Sequence, residues 1–532
     1  MKFKLDGIPE DPALLRQLVE QLVVLVEKQS RDNERLRQTI EKFQRLQFGS
    51  KSEKVDPQQQ LLGFEPARDA EITPAAVPEI AEDAAAEDED SSTPKEKKKG
   101  HGRRRIPKTL QRLTLEYTLS PEQRTCSCGQ VCESIGHESS EQLDWVPSSL
   151  VVLEHIRVKY ACQVCEGKVA TAPVPDQVIE KGLAGTGLLS YVLTSKYSDH
   201  LPLHRLESIF KRHGYPIPRS TMCGWVAVCA DLLVPIVTRM WTLVMQSWVL
   251  HTDDTTVPIQ DPELERVRKG RLWAYYGDVE HPFILYEYTP DHTEKHPIAR
   301  LSAYRGHIQA DGYAAYTKIC EQKVDNQVVR YLVSCWAHAR RYFFDAQTND
   351  RVRAMTALAY IQKLYKIEKF AKEQSLAVDA RHALRQKEAV PVLKKFKAWL
   401  DEQWARVLPS EAIGEAVGYA LRRWTELERY TTDGRLKIDN NLAENAMRNI
   451  AIGRKNWLFA QSDEGGRRAA IIYAIVETCK RNGINVYEYL RDVLDRISTH
   501  PASAIDELLP APGRWTRTSV PATERGRAAS SA

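Results

Sequence analysis

A succession of strand-like runs in the middle of the chain constrains the fold more than any other feature. Each run is rich in β-branched and aromatic residues, as strands usually are. The runs lie at 248–259, 270–277 and 282–288, then at 306–311 and 328–336, with a helix near 293–304 between the third and the fourth. Three meandering strands, a helix and further strands predict a mixed α/β sheet with helices packed on its faces.

Three widely separated acids lie on these elements. Asp253 lies in the first strand, with Asp254 beside it, while Asp311 ends the fourth strand and Glu444 opens a later helix. Each acid by itself also suits a turn or a helix cap. Together they supply oxygen ligands for two hard divalent cations, Mg²⁺ or Mn²⁺, which lie about 3.5–4 Å apart in sites that transfer phosphoryl groups. Successive strand residues point to opposite faces, so we expect only one of the two neighbouring aspartates to face the metals.

The order of the elements matches a ribonuclease H-like sheet that is interrupted before its last helices. The predicted core covers 241–345 and 431–482, and the charged helical stretch between them, 346–430, is too long for a simple connection. A C-terminal helical region is expected at 483–512 and a disordered tail at 513–532. The predicted fold class is therefore multidomain α/β, and the acids predict an enzyme that cuts and joins DNA strands.

The N-terminal part of the chain predicts a coiled coil followed by a linker. Leucines at heptad spacing predict a leucine-zipper-like helix over 11–48, which would join copies of the chain into a homo-oligomer. An amphipathic helix packed on its own chain is the alternative. Residues 49–108 are too polar to fold alone, acidic at first and then basic. We expect the basic part, with Arg103, Arg104 and Arg105, to bind DNA phosphates without reading sequence, although a solvated tail would look the same.

Cysteines cluster within 109–175 in a pattern that favours a metal over disulfides. One pair precedes a predicted β-hairpin and a second pair follows it, which suits a tetrahedral, structural Zn²⁺ site of the zinc-ribbon type. The four predicted ligands are Cys126, Cys128, Cys162 and Cys165. The first pair is one residue shorter than the usual spacing, and two residues could replace one of its members: Cys132 and His137. Buried thiols without a metal are the alternative.

Residues 176–240 are predicted to be helical and to bind DNA. Two helices, at 203–213 and from 219 onward, are joined by a turn at 214–218 that contains glycine and prolines. The turn glycine and the Ser220–Thr221 pair at the second helix start fit a helix-turn-helix motif. Helix pairs with proline-rich turns also serve as plain scaffolding, so base reading here is one of two interpretations.

The charge distribution favours a polyanionic partner such as double-stranded DNA. The formal net charge is +4, but residues 68–90 hold nine acids against one arginine. Their local balance of −8 leaves +12 for the rest of the chain. No run approaches the roughly 20 apolar residues of a membrane span, and the first residues lack the apolar core of a signal peptide. We therefore expect a cytoplasmic, DNA-associated protein without a membrane segment.

Several long motifs, in order along nearly the whole chain, resemble the large transposase subunit (TnpC type) of the insertion-sequence 66 family. Before the strand region they are Phe48-Gly-Ser-Lys-Ser-Glu-Lys54, the paired cysteines with Ile135-Gly-His and Ser140-Glu-Gln-Leu-Asp144 between them, and Lys196-Tyr-Ser-Asp-His-Leu-Pro-Leu203. From the strands onward they are His251-Thr-Asp-Asp-Thr255, Ala310-Asp-Gly-Tyr313, Cys335-Trp-Ala-His-Ala-Arg-Arg341, Asp439-Asn-Asn-Leu-Ala-Glu444 and Gly453-Arg-Lys-Asn-Trp457.

The resemblance implies a bacterial DDE transposase with a leucine-zipper-like N-terminus, a zinc-binding module and a ribonuclease H-like core. By motif position, the family's two aspartates fall on Asp253 and Asp311, and its glutamate falls on Glu444. The family usually has Glu at the position of Asp254, which supports Asp253 as the metal ligand. Element ends and target DNA are the implied substrates, and small accessory transposition proteins are the implied partners. A zinc-dependent DNA-binding regulator with an inactive core is the alternative function.

Basic residues follow the predicted glutamate. Arg448 lies one helical turn after Glu444 on the same face and could reach a phosphate near the metals. Arg454 and Lys455 come next and are also expected to bind DNA, and Trp457 could stack on an unpaired base. A solvated basic face with a core tryptophan is the alternative. Three further residues face DNA or are structural: His338, Arg340 and Arg341.

Overall fold

A computed structural model describes residues 106–517, apart from 107, 109, 127–129, 147–148, 162–168, 174–176, 181, 262–265, 459 and 461. Five earlier positions, at 20, 23, 26, 28 and 29, are also described, and all five are helical. The predicted coiled coil and linker otherwise lie outside the described residues. So do Arg103, Arg104 and Arg105, and the chain after 517.

The first sheet contains the β-hairpin that the sequence predicts between the cysteine pairs. Its strands are β1 (Arg112–Tyr117), β2 (Glu133–Val146), β3 (Ser149–Ala161) and β4 (Val169–Thr171), with the short helix α1 (Pro121–Arg124) after β1. The central strand β3 runs parallel to β1 and antiparallel to β2 and β4. Val151 and Leu153 of β3 pack with Leu115 of β1, which forms a small apolar cluster on one face of the sheet.

Three helices follow the first sheet and pack against it. They are α2 (Thr186–Tyr197), α3 (Leu203–Arg212) and α4 (Arg219–Val244). The buried Asp144 of β2 accepts a hydrogen bond of 2.7 Å from the backbone N–H of Leu188 in the first turn of α2. The ring of Trp145 stacks on that of Tyr191, with 4.0 Å between centroids. Helices α3 and α4 are the predicted pair, joined by the turn at 213–218.

Helix α4 is long and apolar enough to cross a membrane by length and composition, and it is the one such helix among the described residues. A single helix of this kind is weak evidence, because core helices of folded proteins pass the same test. Eleven of its side chains are buried, Trp225 and Met240 among them, and it contacts α2 and the helix at 463–481. Its packing is that of a core helix.

The second sheet forms from the five predicted strand-like runs. Its strands are β5 (Val249–Asp261), β6 (Arg266–Tyr276), β7 (Ile284–Thr289), β8 (Gly306–Ala310) and β9 (Arg330–Ser334), in the order β7-β6-β5-β8-β9. The strands β7, β6 and β5 are antiparallel, whereas β5, β8 and β9 are parallel. Strand β6 begins four residues before the predicted start, because its pairing with β5 continues to Asp261 and Arg266.

Two short helices connect the strands of this sheet: α5 (Lys295–Leu301) and α6 (Ala314–Glu321). A mainly helical stretch follows β9 and interrupts the path to Glu444. Its helices are α7 (Trp336–Asp345), α8 (Arg351–Glu373), α9 (Val378–Leu384), α10 (Val390–Trp404), α11 (Ala412–Arg422) and α12 (Trp424–Glu428), with shorter helical turns between them. These helices share one apolar core with the sheet, since Val249 and Val333 belong to the same cluster as Trp336 and Phe396.

The buried Arg385 fixes the end of this helical stretch. Its guanidinium group, with 0% of the side chain exposed, donates to the backbone carbonyls of Tyr430, Asp433 and Leu436 at 2.7–2.9 Å. Its charge is paired with Glu368, at 2.7 Å. Because every N–H donor of this buried cation has a partner, Arg385 stabilises a single backbone conformation of residues 430–436.

Three helices complete the described chain: α13 (Asn441–Trp457), α14 (Asp463–Arg481) and α15 (Val486–Arg496). Helix α13 carries Glu444 and lies against β5 and β6. Helix α14 packs on β7, where the hydroxyl of Thr478 accepts from the N–H of Ile284 at 2.9 Å and donates to the carbonyl of the same residue. The two sheets and the helices around them make a mixed α/β architecture.

Candidate active site

The parallel half of the second sheet brings several motif residues to one edge. Parallel strands end at the same edge of a sheet, and β5 pairs with β8 only as far as His251. Asp253 lies two residues beyond that pairing, Asp311 directly follows β8, and Cys335 directly follows β9. The sheet therefore brings together residues that are 82 positions apart in the sequence, from Asp253 to Cys335.

The negative charges of the two other predicted ligands, Asp311 and Glu444, act on Asp253. Burial raises the pKa of its carboxyl group, and the neighbouring charges of Asp311 and, more weakly, Glu444 and Asp254 raise it further, to about 7. The backbone N–H of Asp254 opposes this effect but does not cancel it. Asp253, Asp311 and Glu444 thus form an anionic cluster, which is the arrangement that cations stabilise.

Asp254 has different partners from Asp253. Its carboxylate receives a hydrogen bond of 2.7 Å from Arg271 on the adjacent strand and lies 3.2 Å from Nε2 of His292. Burial still raises its pKa, against the lowering effect of these two neighbours. Asp254 is therefore charge-paired within the protein, whereas the neighbours that most affect Asp253 are acids.

Residues 437–440, which we call the crossing segment, run across the ends of the three parallel strands. The buried Gln309 of β8 donates to the carbonyls of Lys437, at 2.6 Å, and Asp439, at 2.9 Å. The backbone N–H of Trp336, after β9, donates to the carbonyl of Ile438 at 3.1 Å. These bonds place the crossing segment directly before α13, so they hold the start of the helix that carries Glu444.

Asn440 makes the contact between the crossing segment and β5. Its side chain is fully buried, donates to the carbonyl of Thr252 at 2.8 Å and lies 3.2 Å from Nδ1 of His251. Its backbone N–H points at Sγ of Cys335, at 3.2 Å. A buried side chain with this many partners fits one position only, so Asn440 determines how α13 meets the strand that bears Asp253.

Glu444 lies in the first turn of α13, and the first turn of α7 faces it. Its Oε1 atom is 3.9 Å from Sγ of Cys335 and 3.6 Å from Nδ1 of His338. The Glu444 side chain keeps 29% of its surface exposed, so it is accessible from solvent. Burial raises the pKa of the Cys335 thiol to about 12, which leaves this cysteine protonated in the absence of a cation.

The predicted DNA-binding residues of α13 differ from one another. Arg448 and Lys455 are exposed, and within the described part of the chain they make no ion pair. Arg454 instead donates to the backbone carbonyl and, at 2.7 Å, to the hydroxyl of Thr256 on β5. It holds α13 on the sheet, so the structure does not favour the prediction that Arg454 contacts DNA. Trp457 is half-buried and hydrogen-bonded to the hydroxyl of Tyr473, which is a structural contact.

Comparison with known proteins assigns this chain to a family. Residues 181–468, more than half of the chain, match the family described as "Transposase IS66 family". The chain belongs to the IS66 transposase family. Three further regions match descriptions from the same group: "IS66 C-terminal element" at 474–511, "zinc-finger binding domain of transposase IS66" at 123–166 and "Transposase C of IS166 homeodomain" at 35–114.

Relatives of this IS66 transposase occur in Sinorhizobium fredii (strain NBRC 101917 / NGR234). "Uncharacterized protein y4hP" is 31% identical over 502 residues, which cover 90% of this chain and 88% of the relative. "Uncharacterized protein y4jD" is 30% identical over 92% of this chain and 97% of the relative. "Uncharacterized protein y4qI" is 34% identical over 74% and 75%, respectively. The similarity thus extends over nearly the whole length of the first two relatives.

The zinc-finger match covers the cysteine-rich part of the first sheet and supports Zn²⁺ binding there. Cys126 and Cys132 are buried, each follows a residue of the Thr125–Val131 bridge, and both belong to the apolar cluster that contains Tyr160 near the end of β3. Cys128, Cys162 and Cys165 lie outside the described residues. His137 is exposed in the middle of β2, whereas Cys132 lies beside Cys126. Of the two possible replacements, the structure thus favours Cys132.

Several residues of the candidate site are ones that sequence reasoning did not single out. Asn440 and Gln309 hold the crossing segment, Cys335 lies beside Glu444, and neither of the two amide side chains is of a typical catalytic type. Asn440 and Cys335 lie inside the quoted family motifs, next to the acids or to His338. The sequence signal that could have indicated Asn440 and Cys335 is an uncharged polar residue inside a family motif. Gln309 directly precedes the Ala310 motif and is recognisable as a buried polar residue of β8 only in the folded chain.

Proposed function

We propose that this IS66 transposase is a DDE enzyme that cleaves and joins DNA strands through Asp253, Asp311 and Glu444. The observation that carries the proposal is the partly buried Asp253 carboxyl group, whose pKa is raised by burial and by the charges of Asp311 and Glu444. Acids that destabilise one another are retained where a cation is needed. The family membership, which supports a transposase function in the broad sense, points to the same chemistry.

The donor set fits hard divalent cations. Three carboxylates supply only oxygen atoms, the ligands that Mg²⁺ and Mn²⁺ prefer, and Glu444 remains accessible to solvent. Asp253, Asp311 and Glu444 are the residues that would hold the cations. When bound there, the cations would supply Lewis-acid activation of the attacking oxygen and stabilisation of the departing 3′ oxygen of the DNA.

The protein's own residues set the geometry of this site. Arg271 and His292 pair with Asp254, whereas Asp253 has no such cationic partner among the causes of its raised pKa, which supports Asp253 as the metal ligand of the two. Asn440 fixes the approach of α13, and with it Glu444, to the strand. The exposed Arg448 follows Glu444 by one turn and is positioned to bind a phosphate of the DNA backbone.

The wider architecture is part of the same proposal. The sheet order β7-β6-β5-β8-β9, antiparallel and then parallel, supports a ribonuclease H-like core interrupted by a helical insertion. We propose that element ends and target DNA are the substrates. We also propose that the N-terminal helix joins copies of the chain, in line with the exposed apolar Val23 and Val26, and that small accessory proteins take part.

Single replacements of the three acids test the proposal. Asp253→Ala, Asp311→Ala and Glu444→Ala should each reduce cleavage of element-end DNA at least about a hundredfold, because even residues that only orient a metal ligand are worth about 10–100-fold. Asp401→Ala is the matched control, since Asp401 pairs only with the exposed Lys397 in the helical insertion. Full activity of any of the three variants would remove that residue from the site.

A strand-transfer assay separates the transposase from its rivals. Protein, end DNA and a target plasmid should yield joined products that depend on Mg²⁺ or Mn²⁺. Cleavage without joined products would indicate a nuclease. DNA binding that is unchanged by Mg²⁺, without any cleavage, would indicate a regulator with an inactive core.

A further inference from the structure

A second group of potential ligands lies beside the candidate acids. Cys335 directly precedes α7, and His338 lies in the first turn of that helix, three residues later. Their donor atoms and a carboxylate oxygen of Glu444 all lie within 4.8 Å of one another. Sulfur, imidazole nitrogen and carboxylate oxygen together make a mixed donor set, unlike the three carboxylates proposed for catalysis.

The separations of these atoms match a tetrahedral metal site closely. With Zn–S of about 2.3 Å and Zn–N and Zn–O of about 2.0–2.1 Å, ideal S···O and N···O separations are roughly 3.6 and 3.4 Å. The structure has 3.9 Å between Cys335 Sγ and Glu444 Oε1, and 3.6 Å between His338 Nδ1 and the same oxygen. Movements of a few tenths of an ångström would bring these two separations to their ideal values, and the donor atoms of Cys335 and His338 lie within 4.8 Å of each other.

Two further observations point to a ligand at this place. The Nδ1 atom of His338 is buried and has no hydrogen-bond partner among the described residues, although it faces Glu444. A buried polar atom without a partner is costly and commonly marks a missing ion or water. In addition, the backbone N–H of Asn440 is directed at Sγ of Cys335, at 3.2 Å, and this contact holds the sulfur on the side of Glu444.

The chemistry of the donors selects the class of ion. Mg²⁺ prefers six oxygen ligands in octahedral geometry and keeps several waters, so thiolate and imidazole suit it poorly. Zn²⁺ readily takes sulfur, nitrogen and oxygen in tetrahedral geometry, and three protein ligands leave its fourth position to water. Binding would displace the thiol proton to solvent.

We propose that Cys335, His338 and Glu444 form a binding site for a borderline-soft divalent cation such as Zn²⁺, distinct from the zinc-finger region. Binding itself does not depend on the proposed function. One consequence does rest on it: an ion at this site occupies Glu444, so Zn²⁺ should inhibit Mg²⁺-dependent cleavage. The site would then make the enzyme sensitive to the ratio of the two cations.

Counting bound metal tests the site in the full-length protein. After equilibration with Zn²⁺ alone and removal of free metal, Cys335→Ser and His338→Gln should each retain one Zn²⁺ per chain fewer than the wild type. The matched control is Cys320→Ser, because Cys320 is a partly buried cysteine whose pKa is likewise raised by burial but which lies outside the cluster. Cys320→Ser should retain as much Zn²⁺ as the wild type.

Titration with Co²⁺ gives an independent readout that does not depend on DNA cleavage. The thiolate-to-cobalt absorption band should lose the contribution of one thiolate in Cys335→Ser and keep it in Cys320→Ser. His338→Gln, whose side chain is partly exposed, guards against loss of folding in the buried cysteine variant. Equal Zn²⁺ content and equal bands in the wild type, Cys335→Ser and His338→Gln would overturn the proposal, whatever the outcome of the cleavage assays.

Discussion

Replacing Asp253 with asparagine should stabilise the cation-free protein while abolishing its activity. In the unfolded chain an aspartate ionises near pH 3.8, whereas burial and the charges of Asp311 and Glu444 raise the pKa of folded Asp253 to about 7. Between these two values the folded state keeps a proton that the unfolded chain has released. The free energy of unfolding of the wild type therefore falls as the pH rises from about 4 to 7, and remains lowered above pH 7.

The size of this effect follows from the pKa values. A rise from 3.8 to about 7 corresponds to roughly 4 kcal/mol between the two protonation states. Since the side chain is only partly buried and its surroundings can relax, we expect a gain of about 2–3 kcal/mol for Asp253→Asn at pH 8. At pH 4, where the wild-type carboxyl group is protonated, the two proteins should be about equally stable.

Urea unfolding at pH 4 and pH 8, in buffer without Mg²⁺ or Mn²⁺, measures the difference. Adding Mg²⁺ at pH 8 should narrow it, because the cation binds the folded wild type more tightly than the variant. Asp463→Asn is a control for which we expect the free energy of unfolding at pH 8 to fall. Burial alone would raise the pKa of Asp463, but hydrogen bonds from Tyr288 and Arg268 hold it below its ordinary value. An Asp253→Asn protein that is no more stable than the wild type at pH 8 would refute the reasoning.

Four further replacements test other parts of the structure. Asn440→Ala leaves the buried carbonyl of Thr252 unpaired and should cost about 1–3 kcal/mol, seen as faster hydrogen exchange in α13; unchanged exchange would contradict it. Arg454→Gln should lower the free energy of unfolding by about 1–2 kcal/mol, whereas Arg448→Gln should leave it unchanged, weaken DNA binding and reduce the slope of log affinity against log salt by about 1. If Arg454→Gln and Arg448→Gln changed the free energy of unfolding equally, the structural role of Arg454 and the DNA-binding role of Arg448 would be contradicted. Cys126→Ser should release Zn²⁺ from the zinc-finger region, and full retention would exclude Cys126 as a ligand.

Local patterns in the sequence were enough to predict the strands that carry the acids. The runs around Asp253 and Asp311 are apolar, β-rich and bounded by turn residues, and such signals depend only on neighbours in the chain. The strand at 112–117 was not predicted, although it pairs with β3, because its partner lies about 40 residues away. The short β4 was missed for a related reason, since three residues are too few for a periodic pattern.

The arrangement around Glu444 could not be predicted from local patterns. Asn440, in the crossing segment, gains its role from contacts with strands more than 100 residues earlier, so its surroundings in the sequence contain no trace of them. Arg454 is a residue for which the local sequence suggested a function that its tertiary contacts do not favour. Its place in a basic run suggested DNA, but tertiary contact with Thr256 engages its guanidinium group. Charge patterns identify a basic face but not which of its members the protein itself binds.

The crossing segment also determines when, during synthesis, the site can exist. Asp253 lies on β5 and Asp311 directly follows β8, and these strands can pair as soon as residue 334 has emerged. The segment that brings Glu444, however, reaches His251 across 189 residues of sequence. A nascent chain that ends within the helical insertion holds two of the acids and lacks the third. Because long-range contacts form late and after large losses of chain entropy, the complete anionic cluster arises only in the nearly finished protein. On the proposed function, an unfinished copy of this chain would therefore lack the complete site for cutting DNA.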